Sequence, residues 1–113
     1  MKENFKKRLE NEILILDGAM GTMLQPRLGA GACVQLANLE HPDLVKDVHS
    51  AYAGAGADII NTNTFGGTRI KLNEFQAGMS VEKINIRAAQ IAREAAGAKA
   101  LIAGNIGPTG KFV

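Results

Sequence analysis

The chain has 113 residues, 46% apolar and 21% charged, with 13 glycines, 3 prolines and a formal net charge of +2. That length bounds it to one small domain or part of a larger one, and the charge is too small to argue for a nucleic-acid partner. No apolar run reaches bilayer length, no signal-peptide core follows the basic start, and one cysteine excludes an internal disulfide, so a cytoplasmic setting without membrane contact is expected.

Residues 2–12 read as a short polar helix. Its Lys2, Lys6, Lys7 and Arg8 are interleaved with Glu3 and Glu10, the pattern of a solvated face. Residues 13–17, Ile-Leu-Ile-Leu-Asp, form an apolar run without polar alternation, suited to a strand covered on both faces in a parallel sheet. The run breaks into Gly18-Ala19-Met20-Gly21-Thr22, and residues 18–40 read as a long glycine-rich connection. Met20 and Met23 are expected to fill space beneath it.

A helix starts near His41-Pro42, since proline suits the first helical turn. Leu44, Val45, Val48, Ala51, Tyr52 and Ala55 make its apolar stripe, and Gly56 is placed to end it. Residues 58–62 read as a second strand opening into Asn63-Thr64-Phe65-Gly66-Gly67. A short helix over 68–75 precedes a longer one, from Ser80 as N-cap to about Ala96. Its stripe is Val81, Ile84, Ala88, Ile91, Ala92 and Ala95. A third strand over 100–103 then opens into the turn Gly104-Asn105-Ile106-Gly107-Pro108-Thr109-Gly110.

This β, α, β, α, β order predicts an α/β fold with parallel strands and right-handed crossovers. Parallel strands place their C-terminal ends at one edge, so Asp17, Asn63 and Pro108 are expected to share one polar rim. Asp17 has two open readings: a partner for a ligand ammonium, or a carboxylate that stabilises the turn. Gly18 to Thr22 offer N–H groups to a carboxylate or phosphate, yet match neither the dinucleotide fingerprint nor a P-loop. Thr62, Asn63 and Thr64 suit either a ligand or the backbone of the turn. His49 reads as a surface or helix-packing residue and Cys33 as a small packed thiol. With His41, they make no metal motif.

Three phrases are more specific than this chemistry. LDGAMGTMLQ at 16–25, HPDLVKDVHSAYAGAGADIINTNTFGGTRIKL at 41–72 and AGNIGPTGK at 103–111 occur in that order. Together they resemble the homocysteine S-methyltransferase family, most closely the homocysteine-binding domain of its cobalamin-dependent methionine synthase branch. The resemblance implies the first three β/α units of a (β/α)₈ TIM barrel, incomplete here, whose active site lies above the strands' C-terminal ends. It implies methyl transfer to the sulfur of L-homocysteine, with zinc on that sulfur and cobalamin recharged by methyltetrahydrofolate as methyl source.

The family's zinc ligands are three cysteines that lie further along the barrel, and Cys33 matches none of them. The piece alone is therefore expected to be inactive, with no catalytic or metal-ligating residue of its own. The rest of the barrel is its expected partner, possible folate and cobalamin domains included. What the resemblance carries over is substrate holding: Asp17 on the amino group, Gly18, Ala19, Gly21 and Thr22 at the amino-acid end. Thr62, Asn63 and Thr64 match the second-strand rim, and Gly107, Pro108 and Thr109 the third.

Two departures stand out. Asn61 occupies a position where relatives often carry glutamate, and residues 30–39 lack the glutamate that relatives commonly place before Asn38-Leu39. An inactive small-molecule binding module, or an interaction fragment derived from the barrel, remains the alternative. The incomplete barrel piece itself is expected to expose apolar strand edges and to be marginally stable.

Overall fold

Three apolar segments lie side by side in the computed structural model, which describes residues 2–112. Strands β1 (Ile59–Asn61) and β2 (Leu101–Ala103) pair in parallel, with Ile59 opposite Leu101, Ile60 opposite Ile102 and Asn61 opposite Ala103. The leading segment joins the other edge of β1 through one parallel bridge, Leu16 to Ile59. The expected parallel order is observed. The expected cover over 13–17 is not: Ile13, Ile15 and Leu16 remain 91%, 60% and 57% exposed. The segment pairs through that one bridge, and its faces stay largely uncovered among the described residues.

Two carboxylates bracket this pairing. At its start Asp58 accepts the Ile15 N–H through Oδ2 at 2.9 Å and Arg8 Nη2 through Oδ1 at 3.0 Å. Arg8 belongs to helix α1 (Lys2–Asn11) and also pairs with Glu12, so the helix is tied to the base of the sheet. The Ile15 N–H, and after it the Arg8 guanidinium, hold the Asp58 carboxyl below its usual range. At the far end Asp17 closes the ladder, as described below.

Helices α4 (Pro42–Gly54) and α6 (Val81–Ala96) are the crossovers, and they pack on each other and on the sheet. Leu24, Ala37, Val45, Val48 and Ile91 form one buried cluster. Ile60, Ala92, Ala96 and Ala100 form another under the strands, and Cys33, Leu72, Ala77 and Ile84 a third. Gly56 takes φ +104 just past α4, a conformation that favours glycine, and so releases the chain into β1. Helix α5 (Arg69–Asn73) is capped by Thr68, whose side chain accepts from the Lys71 N–H.

Several expectations need correction. The connection over 18–40 is largely helical: α2 (Gly21–Leu28), a 3₁₀ turn at Val34–Leu36 and α3 (Ala37–Glu40) occupy it. Met20, Leu24 and Leu28 recur every fourth residue, and that stripe packs on α4, where burial outweighs the glycine flanks. Met23 points away from it and is exposed. Ser80 precedes α6 without a side-chain cap, because a 3₁₀ turn at Gly78–Ser80 already leads the chain in. The buried stripe of α4 is Val45, Val48 and His49, while Ala51 and Ala55 face out. At the end of α6, Ala96 rather than Ala95 is fully buried.

Ile91 joins three helices and is fully buried, so Ile91→Ala should cost about 2–5 kcal/mol, a large share of a typical domain stability, read as a lower urea midpoint. The depressed Asp58 carboxyl sets an acid dependence. Its contribution is present above the ordinary carboxylate pKa and is lost as pH falls through the lower folded value. Asp58→Asn should therefore lower the midpoint at pH 7 and lose less on going from pH 7 to pH 3 than the unmodified chain.

Candidate functional site

A parallel ladder running past Ile59 would send the Asn61 N–H to the main-chain carbonyl of residue 17. Here the Asp17 N–H donates to Ile59 O at 2.9 Å, but the Asn61 N–H goes to the Asp17 carboxylate, reaching Oδ2 at 3.1 Å. Asn61 Nδ2 donates to Oδ1 at 2.8 Å. The carboxylate thus ends the strand pairing and frees the chain to turn at Gly18. Gly18 must be small: a Cβ there would meet the Tyr52 hydroxyl at 2.8 Å. That hydroxyl donates to Ala19 O at 2.7 Å and pins the turn to α4.

Above the C-terminal ends of the three segments lies a cavity of about 580 Å³. Of the candidate rim residues, Asp17, Gly18, Ala19, Gly21, Thr62, Asn63 and Thr64 line it. Thr22, Gly107, Pro108 and Thr109 do not line it. Thr22 lies one residue into α2, and the Thr109 hydroxyl accepts from the Lys111 N–H in a local turn. Gly107 instead abuts the second turn, where an added Cβ would lie 2.1 Å from the Phe65 carbonyl oxygen. The third turn reaches the cavity through Asn105.

The polar side chains of the second turn are already engaged. A hydroxyl has one proton, and Thr64 gives its own to Asn105 O at 2.6 Å. Thr62 must then donate to Thr64 Oγ1 at 2.7 Å, while Thr62 Oγ1 accepts the Asn105 N–H at 3.1 Å. The result is a closed ring that locks the second turn to the third. Asn63 Nδ2 is committed to Val34 O and Asn38 Oδ1, at 3.0 and 2.9 Å. Asn38 is fully buried and returns its own amide to Asn63 O and Ile84 O. These residues build the floor of the cavity more than they face into it.

Several lining residues were missed by sequence reasoning. Asn61 and Asn105 stand where β1 and β2 give way to their turns, and that position was the available signal. Phe65 belongs to the second turn already expected at the rim, whereas Cys33, Gln35, Lys71 and Glu74 come from elements whose approach only the fold reveals. His49, read as a surface or helix-packing residue, is fully buried on α4, with no hydrogen-bond partner on either ring nitrogen among the described residues. Burial pushes its imidazole below the ordinary value near 6.5, and the charge of Asp17 pulls it partly back. Among the described residues, no cluster of three His, Cys, Asp or Glu side chains suits a metal ion, and no helix is long and apolar enough to cross a membrane.

A family model described as homocysteine S-methyltransferase matches residues 14–113. The chain is similar to the homocysteine methyltransferase MmuM from Escherichia coli in its metallated form, with 26% identity and a TM-score of 0.75 over 92% of this chain. The oxidized form gives 27% identity and a TM-score of 0.73 over 94% of this chain. In both cases the chain spans 41% of the length of the solved protein.

Breaking the hydroxyl ring with Thr64→Val should cost about 1–3 kcal/mol, because Asn105 O and the Thr62 hydroxyl lose their partners. Combining it with Thr62→Val should cost less than the sum of the two single changes in urea melts. His49 predicts a second pH window. Its folded pKa lies below the unfolded one, so the neutral ring contributes fully above about pH 6.5, and stability falls as pH drops below that. His49→Phe should flatten the urea midpoint between pH 7.5 and 5.5.

Proposed function

The chain belongs to the homocysteine S-methyltransferase family, and we propose that it supplies the amino-acid-holding part of a domain that methylates the sulfur of L-homocysteine. The observation that carries this reading is the pairing of charges in one cavity. Asp17 offers a carboxylate to an ammonium group. Beside it, Gly18 to Gly21 lead into the N-terminus of α2, where Met20 provides no side-chain cap. The first N–H groups of a helix have no partner within it, and together with the helix dipole they attract a carboxylate. An amino acid carries both charges on one carbon, so it fits across these two features. Its thiol end then extends into the remaining space.

The proposed setting is a (β/α)₈ barrel of which this chain provides the first three β/α units, with the remainder of the barrel as partner. The parallel order and the C-terminal position of the cavity support that reading. As methyl source we propose the cobalamin route recharged by methyltetrahydrofolate, which the wording of residues 16–25 supports. The described residues do not fit zinc: Cys33 is the chain's single cysteine and packs against Leu72, Ala77 and Ile84. Zinc bound through three thiolates would be held outside this chain, so no step through the metal is assigned to it. A reducing cytoplasm suits the thiol substrate.

Calorimetric titration of the chain with L-homocysteine tests the reading. Weak binding near a Kd of about 1 mM is expected, with at least a tenfold loss in Asp17→Asn. No heat up to about 10 mM ligand would remove this chain from the amino-acid end. Incubated alone with methyl donors, it should yield no methionine by mass spectrometry.

A further inference from the structure

We propose that Asn61 aims the Asp17 carboxylate into the cavity, so that the pair, rather than Asp17 alone, forms the seat for the primary ammonium of an amino acid. The inference deepens the reading above and rests on it for the identity of the ligand. Asp17 makes the last ladder bond of its segment with its own N–H and precedes Gly18, so the main chain beyond it does little to fix its side chain. Asn61 does this instead, from two points at once: its main-chain N–H holds one carboxylate oxygen and its amide the other.

Asn61 can act as a fixed reference because it is the last residue of β1, paired with Ala103, and the next N–H, that of Thr62, donates to Ala103 O at 2.9 Å. The chemistry also fixes its amide. Only Nδ2 can donate to a carboxylate, so Nδ2 faces Asp17 and Oδ1 is turned away. A carboxylate has about four acceptor positions, and Asn61 takes two. The remainder are left for an ammonium, which needs several acceptors in a defined direction. Asn61 is thus a positioning residue and acts through Asp17.

His49 provides a readout inside the same chain, since Asp17 is the charged group that acts on its buried ring. The titration midpoint of the His49 ring is followed by NMR in the unmodified chain, Asn61→Ala, Asp17→Asn and the double variant, with exposed His41 as internal control. Asn61→Ala removes the amide and keeps the main-chain N–H, so the carboxylate, held at one oxygen only, is free to turn and the His49 midpoint should shift. In the Asp17→Asn background the same change should leave the midpoint where it is. Equal movement in both backgrounds, or none in either, overturns the proposal, because a purely structural asparagine would not act through the carboxylate.

A binding arm separates this inference from the reading it rests on. Asn61→Ala should weaken L-homocysteine about tenfold and leave 4-mercaptobutanoate, which lacks the amino group, unchanged. Equal weakening of both ligands overturns the aiming role. If neither ligand binds the unmodified chain while the His49 shifts are coupled, the homocysteine reading fails and the Asn61–Asp17 clamp stands.

Discussion

The geometry of the rim depends on an exchange of hydrogen-bond acceptors at the end of the first ladder. By taking the Asn61 N–H on its carboxylate, Asp17 stops the pairing without leaving a donor unsatisfied. The chain is then free to bend at Gly18, and Tyr52 fixes the bend from below. At the opposite end, the Asp58 carboxylate takes the Ile15 N–H in a mirror arrangement. A segment that pairs through a single bridge is therefore held at both ends by side chains, one from each partner. The two readings left open for Asp17 are in this respect compatible. The carboxylate terminates the strand and is also part of the cavity lining.

A second tier of constraints lies in the turns themselves. Thr62, Thr64 and Asn105 share protons around a ring, and Asn38 and Asn63 exchange amides beneath it. Such groups are costly to bury singly, but each satisfies another here, so the floor is stiff and polar under an open cavity. The apolar clusters around Leu24, Ile60 and Leu72 support that floor from the helix side. The chain measures 44 × 35 × 21 Å, and the exposed Ile13, Ile15 and Leu16 mark the open edge of the slab.

Periodicity made the helices and the parallel order legible, because burial on one face is written directly into residue spacing. It failed where composition masked spacing. The glycines around residues 18–31 hid the Met20, Leu24, Leu28 stripe of α2, and the polar label of His49 hid its place between Val45 and Tyr52 on the buried face of α4. The rim was legible as a set of turns but not side chain by side chain. Asn105 reaches the cavity, while Pro108 and Thr109 do not. Which residue of a turn faces inward is set by hydrogen bonds to other segments, such as that from Thr64 to Asn105, and no local pattern records those.

The close approach of Gly107 to Phe65 has a mechanical consequence. With the carbonyl of one turn lying where a methyl group of the other would sit, neither can slip past its neighbour. Together with the Thr64-to-Asn105 bond, this fit makes the second and third turns one packed unit, in which any side chain at position 107 would force the two apart.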